Sequence, residues 1–235
     1  MNITNYWADI DERLEELVNH GFVKLPSLES FNLDDLANDI NAEMSGNTFA
    51  ELGAKHDQFL RQLCLDQFLV PKLYDIAKNI MGYSGDISDQ YHIARRVQAG
   101  NEKEMYRAHF DSHLFTMVLP IRIPESRSGG TSGDLIYFPK VRKAPKSEMA
   151  NLAQKIYHKR FASKVGLEKF SKSHKQLTDN FQDYKPLLFI GNTTLHTNKQ
   201  VSAGCSTYRL TLLAHFFDPS PKYGVGGMLR LLRNR

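Results

Sequence analysis

The stretch that decides the reading of this chain is RAHFDSHLFTMVLPI, residues 107–121. It sets His109, Asp111 and His113 directly before the apolar run Leu114–Leu119. Polar groups at the mouth of a buried strand are costly unless something satisfies them. On an extended chain alternate residues share a face, with Cα atoms ~7 Å apart. His109 and Asp111 therefore suit adjacent positions around one divalent cation. His113 shares that parity and is an alternative to His109. A further donor stands in a similar setting at His196, in GNTTLHTNK, just after the apolar strand that ends in LLFI.

Outward from this stretch, strands are expected at YHIARRV (91–97), MYRAHFD (105–111), LFTMVLPIRIP (114–124) and DLIYFP (134–139). Gly-, Asn- and Ser-rich turns separate them. Strands resume at PLLFIGN (186–192), HTNKQVS (196–202) and YRLTLLAHFF (208–217). Before them, residues 4–83 carry apolar positions at helical spacing, interrupted by His20-Gly21 and a short strand FVKLP (22–26). A break is expected at Pro71. Antiparallel strands behind helical padding predict a barrel or sandwich with helices packed outside.

Arg209 stands alone among apolar residues in YRLTLLAHFF. A buried guanidinium needs an anion, and its planar fork matches a carboxylate bidentately. Thr211 shares its face and adds a hydroxyl. Two histidines and one carboxylate with open positions form the facial triad of non-haem Fe(II) oxygenases. A zinc hydrolase accepts the same ligand set, but leaves Arg209 without a purpose.

His109-x-Asp111, His196 and Arg209 on late strands resemble the Fe(II)/2-oxoglutarate-dependent oxygenases. The opening ELVNHGFVKLPSLESFNLDDLANDI resembles the phytanoyl-CoA-dioxygenase-like branch of that superfamily, and the spacing from Asp111 to His196 is similar to that branch. The resemblance implies a mainly β fold with flanking helices: a double-stranded β-helix (jelly-roll) core with N-terminal helices and a helical insertion. It implies His109, Asp111 and His196 as iron ligands, with Arg209, helped by Thr211, holding 2-oxoglutarate. Cosubstrates would be 2-oxoglutarate and O2, with succinate and CO2 released as a substrate C–H bond is hydroxylated. SGGTSGDLIYF resembles the glycine-rich turn and strand between the ligand pairs. Related halogenases replace the acid with a small residue, so Asp111 favours hydroxylation or another oxidation over halogenation. Nucleic-acid demethylases carry a second arginine where this chain has His215, which disfavours nucleic acid as a partner. The competing reading is a non-catalytic jelly-roll module, sugar-binding or regulatory, with a vestigial metal site.

The implied organisation is one oxygenase domain over 1–235, with a helical N-terminal region at 1–83, jelly-roll strands at 89–139 and 186–218, and an insertion at 140–185. The 235 residues are 41% apolar and 24% charged, an ordinary globular composition with no run long enough for a membrane helix. The N-terminus lacks the basic-then-apolar order of a secretory signal, and two isolated cysteines fit free thiols in a reducing cytoplasm. The net charge of +4 concentrates in KVRKAPK (140–146) and LRLLRNR (229–235). Such stretches read first as solvated loop and tail, or else as patches for nucleic acid, anionic lipid or an anionic substrate, and the basic residues point to an anionic small molecule. Lys140, Arg142 and Lys143 are expected on a rim that attracts it, with Arg95 and Arg107 as candidate substrate contacts. His92, His158, His174 and His215 read as surface or packing histidines.

Overall fold

Alternation along the strands decides which residues meet. The computed structural model describes residues 2–51, 54–101, 105–125, 130–145 and 148–219. Its elements run α1 (Ile3–Tyr6), α2 (Ile10–His20), β1 (Phe22–Lys24), α3 (Leu33–Glu43), β2 (Phe49–Glu51), α4 (Ala54–Gln62), α5 (Leu65–Phe68) and α6 (Val70–Asn79). Then come β3 (Gln90–Val97), β4 (Phe115–Arg122), β5 (Leu135–Phe138), α7 (Glu148–Lys159) and α8 (Lys164–Ser171). The chain closes with β6 (Leu177–Asp179), β7 (Leu187–Ile190), β8 (Leu195–Asn198) and β9 (Arg209–Phe216).

The strands pair antiparallel into a six-stranded sheet, order β1-β7-β4-β9-β3-β2, and a three-stranded sheet, order β6-β5-β8. On β9, Leu210, Leu212, Ala214 and Phe216 face a core shared with Leu14 and Leu17 of α2, Ala37 and Ile40 of α3, and Leu73 and Ala77 of α6. The opposite parity, Arg209, Thr211, Leu213 and His215, lines a cavity. A second apolar cluster, including Val118, Leu135, Tyr137, Leu187 and Phe189, joins the two sheets. A third packs Ile136, Phe138 and Leu195 against Leu167 and Phe170 of α8. The result is helices, large sheet, small sheet and outer helix in layers: a mainly β jelly-roll core with flanking helices.

The helical break expected at Pro71 falls at Leu69, between α5 and α6, with Pro71 in the first turn of α6 where its missing N–H costs nothing. Four expectations are corrected. Residues 105–111 are not a strand; they join the small sheet by an isolated bridge, His109 to His196, and by the Tyr106 N–H donating to the Asn198 carbonyl. Tyr106, at φ +53°, turns the chain out of extended geometry just before that bridge. The strand expected at HTNKQVS (196–202) starts one residue earlier and is shorter: β8 runs Leu195–Asn198, with His196 inside it. The helical insertion 140–185 also contains a strand, β6, which pairs with β5. The fourth concerns the basic rim. Lys140 Nζ caps the end of α2, donating to the carbonyls of Val18 (2.7 Å) and Asn19 (2.8 Å). Arg142 is buried, while Lys143 is exposed. The closing basic stretch 229–235 lies outside the described residues. Cys64 and Cys205 are free. Among the described residues no helix is long and apolar enough to cross a membrane.

Candidate metal centre and its cavity

His109, Asp111 and His196 offer ligand atoms that all lie within 4.8 Å of one another. His109 Nε2 is 3.6 Å from Asp111 Oδ1, and His196 Nε2 is 3.6 Å from Asp111 Oδ2. Those separations are too long for hydrogen bonds. They are close to the roughly 3–3.5 Å that separates neighbouring donors each about 2.1 Å from a common ion. His113 stands apart from this group; its ring stacks on those of His215 (5.1 Å) and Tyr91 (6.1 Å).

The backbone explains the convergence. His109 and His196 exchange both N–H···O bonds at 3.0 Å, which sets their rings 4.4 Å apart. The Asp111 N–H donates to the Gly191 carbonyl (3.2 Å), drawing the acid toward the β7–β8 turn. A Cβ on Gly191 would lie 2.7 Å from Thr116 Oγ1 and 3.1 Å from Asp111 Cβ, so only glycine permits this approach.

The polar surroundings prepare the donors. His109 Nδ1 faces the carbonyl of Arg107 (2.8 Å), and His196 Nδ1 faces that of Thr194 (3.2 Å). A carbonyl only accepts, so each Nδ1 carries the hydrogen and each Nε2 presents a lone pair, as metal-binding histidines require. Thr116 donates to Asp111 Oδ2 (2.6 Å) and in turn faces His215 Nδ1 (3.1 Å). Burial alone would raise the Asp111 carboxyl; His196, His215, His109 and the Thr116 hydroxyl outweigh it and hold it below the ordinary carboxylate range. The His109 side chain is 57% accessible, and that edge opens on the cavity. Desolvation by the cavity walls, then His196, still push its pKa down to about 4. At neutral pH the set is therefore one carboxylate and a neutral His109, ready for a cation. This donor chemistry fits iron.

Arg209 and Thr211 line the same cavity on β9. Arg209 is 4% exposed, and its Nη1 donates to the Gly133 carbonyl. Gly133 has φ +83°, and a Cβ there would meet Arg209 Cδ at 3.0 Å. Burial, then the neighbouring Arg95, push the Arg209 pKa down to about 9, which leaves it cationic at neutral pH. Among the described residues no carboxylate lies in ion-pair reach of it: Asp134 is held by Lys199 (3.1 Å) and Asp179 by Lys24 (2.8 Å). Arg95 lies beside it on β3, donating to Asn198 Oδ1 (2.6 Å), while Asn198 Nδ2 shares the Gly133 carbonyl (3.1 Å). Arg107 is exposed at the cavity wall.

Sequence reading missed Thr116 and His215. His215 is buried and burial pushes its pKa down to about 4 against the pull of Asp111, so it lines the site rather than merely packing. His92 stands edge-on to Phe216, His158 to Phe110, and His174 lies flat on Phe170, all packing contacts.

No family model matches the chain, and no curated protein matches it in sequence. Solved structures share its fold. A prolyl-4-hydroxylase from Pseudomonas putida is 14% identical with a TM-score of 0.50, covering 92% of this chain and 98% of its own. A prolyl hydroxylase from Trichoplax adhaerens, in complex with a hypoxia inducible factor fragment, is 11% identical with a TM-score of 0.52, covering 92% of each chain. The non-haem alpha ketoglutarate dependent carbocyclase SnoK from nogalamycin biosynthesis is 12% identical with a TM-score of 0.50, covering 93% of this chain and 89% of its own. Alpha ketoglutarate is 2-oxoglutarate. The likeness defines the fold class: the jelly-roll core on which these oxygenases are built.

Proposed function

We propose that the protein is a non-haem Fe(II)- and 2-oxoglutarate-dependent oxygenase that hydroxylates a small, anionic substrate. The observation that carries this reading is the pairing, within one cavity, of a His109–Asp111–His196 donor set with a buried Arg209 that no carboxylate of the described residues neutralises. His109, Asp111 and His196 would hold the iron. Arg209, with Thr211, would hold the distal carboxylate of 2-oxoglutarate. Bound iron supplies the coupling of O2 and 2-oxoglutarate decarboxylation, to succinate and CO2, with oxidation of a substrate C–H bond. The chain's own role is to orient the donors, to neutralise the cosubstrate and to hold the substrate over the triad. The N-terminal sequence resemblance supports the phytanoyl-CoA-dioxygenase-like branch within this class. A sugar-binding or regulatory jelly roll has no reason to bury Arg209.

Anaerobic addition of Fe(II) and 2-oxoglutarate should produce the weak visible charge-transfer band of their chelate. Asp111→Ala should abolish the band. Arg209→Gln should retain it only at about tenfold or more higher 2-oxoglutarate, since a charge-assisted contact contributes roughly 1.5–3 kcal/mol. Absence of both the band and 2-oxoglutarate-dependent succinate release from the wild-type protein overturns the proposal.

A further inference from the structure

The cavity over the triad is larger than its floor requires. Its volume is about 1090 Å³, slightly above the ~300–1,000 Å³ of pockets that take drug-sized ligands. A five-carbon diacid fills a small fraction of that. The remainder opens between β2 and β3 of the large sheet and α7 of the insertion, with Phe49, Tyr91 and Ile156 on its walls.

Those three side chains are unusual for their exposure. Among the described residues eight large apolar side chains are exposed, and three of them line this one cavity: Phe49 (46%), Tyr91 (41%) and Ile156 (63%). Scattered exposed apolar residues carry no message, whereas several around one concavity mark a surface that a ligand covers. Among the described residues the outer wall of this mouth carries Arg107, Lys155 and Lys159 against Glu51, whose carboxylate accepts from the Tyr91 hydroxyl (3.4 Å). The excess is positive, and it comes from α7 and the ligand-bearing segment.

We infer that the mouth binds an amphipathic anion of drug-like size, its apolar body among Phe49, Tyr91 and Ile156 and its acidic group toward Lys155, Lys159 and Arg107. The inference rests on the oxygenase reading for the name substrate, but its test uses the metal-free protein. Such a ligand is favoured over two alternatives: a free amino-acid-sized metabolite leaves most of the volume empty, and a neutral lipid gains nothing from the positive charge of the described wall residues.

The test is fluorescence titration of the folded, metal-free chain with anilinonaphthalene sulfonate, a small aromatic anion, and with the uncharged N-phenyl-1-naphthylamine. The wild-type protein should bind both saturably, with the sulfonate tighter at low salt. Phe49→Ser combined with Ile156→Ser should weaken both probes about tenfold, through lost apolar contact. Lys155→Gln combined with Lys159→Gln should weaken only the sulfonate, several-fold, and the difference should vanish by about 0.5 M salt, where exposed charges are screened. An unchanged thermal midpoint confirms that each variant is folded. Failure of the folded protein to bind the sulfonate saturably, or unchanged sulfonate affinity in either double variant, overturns the inference. Equal weakening of the neutral probe by the lysine pair does the same. Saturable, variant-sensitive binding in a protein that shows no Fe(II)–2-oxoglutarate band leaves the mouth standing and removes the oxygenase reading.

Discussion

A threonine hydroxyl has one hydrogen. Thr116 gives it to Asp111 Oδ2 at 2.6 Å, so the 3.1 Å contact with His215 Nδ1 runs the other way, with the imidazole donating to Thr116 Oγ1. The chain His215–Thr116–Asp111 turns one carboxylate oxygen into a fixed acceptor and leaves Oδ1 beside His109. Partners of this kind typically change metal affinity by ~10–100-fold. Thr116→Val, nearly the same shape without the hydrogen, should weaken Mn(II) binding to the metal-free protein by about that range. Thr116→Ser should restore it. His215→Asn, which keeps a donor at the Nδ1 position, should weaken binding less than His215→Phe does. Unchanged Mn(II) affinity in Thr116→Val, followed by electron paramagnetic resonance, would remove Thr116 from the centre. His109-x-Asp111 was legible because two donors at strand spacing stand out against an apolar run. Thr116 and His215 were not, since a lone polar residue in a strand also reads as packing. The signal that existed was parity: His215 shares its face with Arg209 and Thr211.

At the level of elements, the ligand-bearing segment 105–111 is held without being a strand. Its inner side is fixed by the bonds of His109 and Tyr106 to β8, the latter through the Asn198 carbonyl at 2.9 Å. Its outer side is fixed by Phe110, which lies between two ligands and sits under Arg142, whose guanidinium carbon is 3.8 Å from the ring centre. Arg142 also donates to the Asn192 carbonyl (2.7 Å), Asn151 Oδ1 (3.1 Å) and Gln154 Oε1 (3.2 Å), tying α7 to the β7–β8 turn. Arg142→Met keeps the apolar cover but strands those acceptors. It should cost about 2–4 kcal/mol and speed amide hydrogen exchange in α7 more than in β4 or β9. Equal exchange in variant and wild type would mean that packing alone holds α7. KVRKAPK reads as a solvated run because nothing local reveals that α7 folds back over Arg142. The strand β6 was hidden similarly: LTD is short, and its pairing with β5 is set by distant sequence.

For the whole molecule, the apolar runs of β4 and β9, bounded by turn residues, and the helical periodicity of the N-terminal region were enough to anticipate layers of helix on antiparallel sheet. The division into six and three strands was not, because it depends on which distant strands pair, β4 with β7 and β9 but β5 with β6 and β8, and no local pattern announces that. The same layering sets the acid response of the fold. His92 is partly buried on β3, its Nε2 facing Gln90 Oε1 (3.2 Å), and its Nδ1 has no hydrogen-bond partner among the described residues. Burial first, then the charge His215 would carry, push its pKa from 6.5 down to about 4, against the pull of Asp66 and Asp57. The unfolded chain takes up this proton near 6.5 while the folded chain resists it until about 4. Unfolding therefore binds a proton in that window, and stability falls as the pH drops through it. His92→Gln removes the penalty for this site alone, while His109 and His215 keep theirs. Urea unfolding of the metal-free proteins should show the wild-type advantage over His92→Gln shrinking between pH 6.5 and 4, by at most about 3 kcal/mol for a shift of this size. An advantage that stays constant across that range would show that His92 takes up its proton alike in both states, and that burial on β3 does not govern its charge.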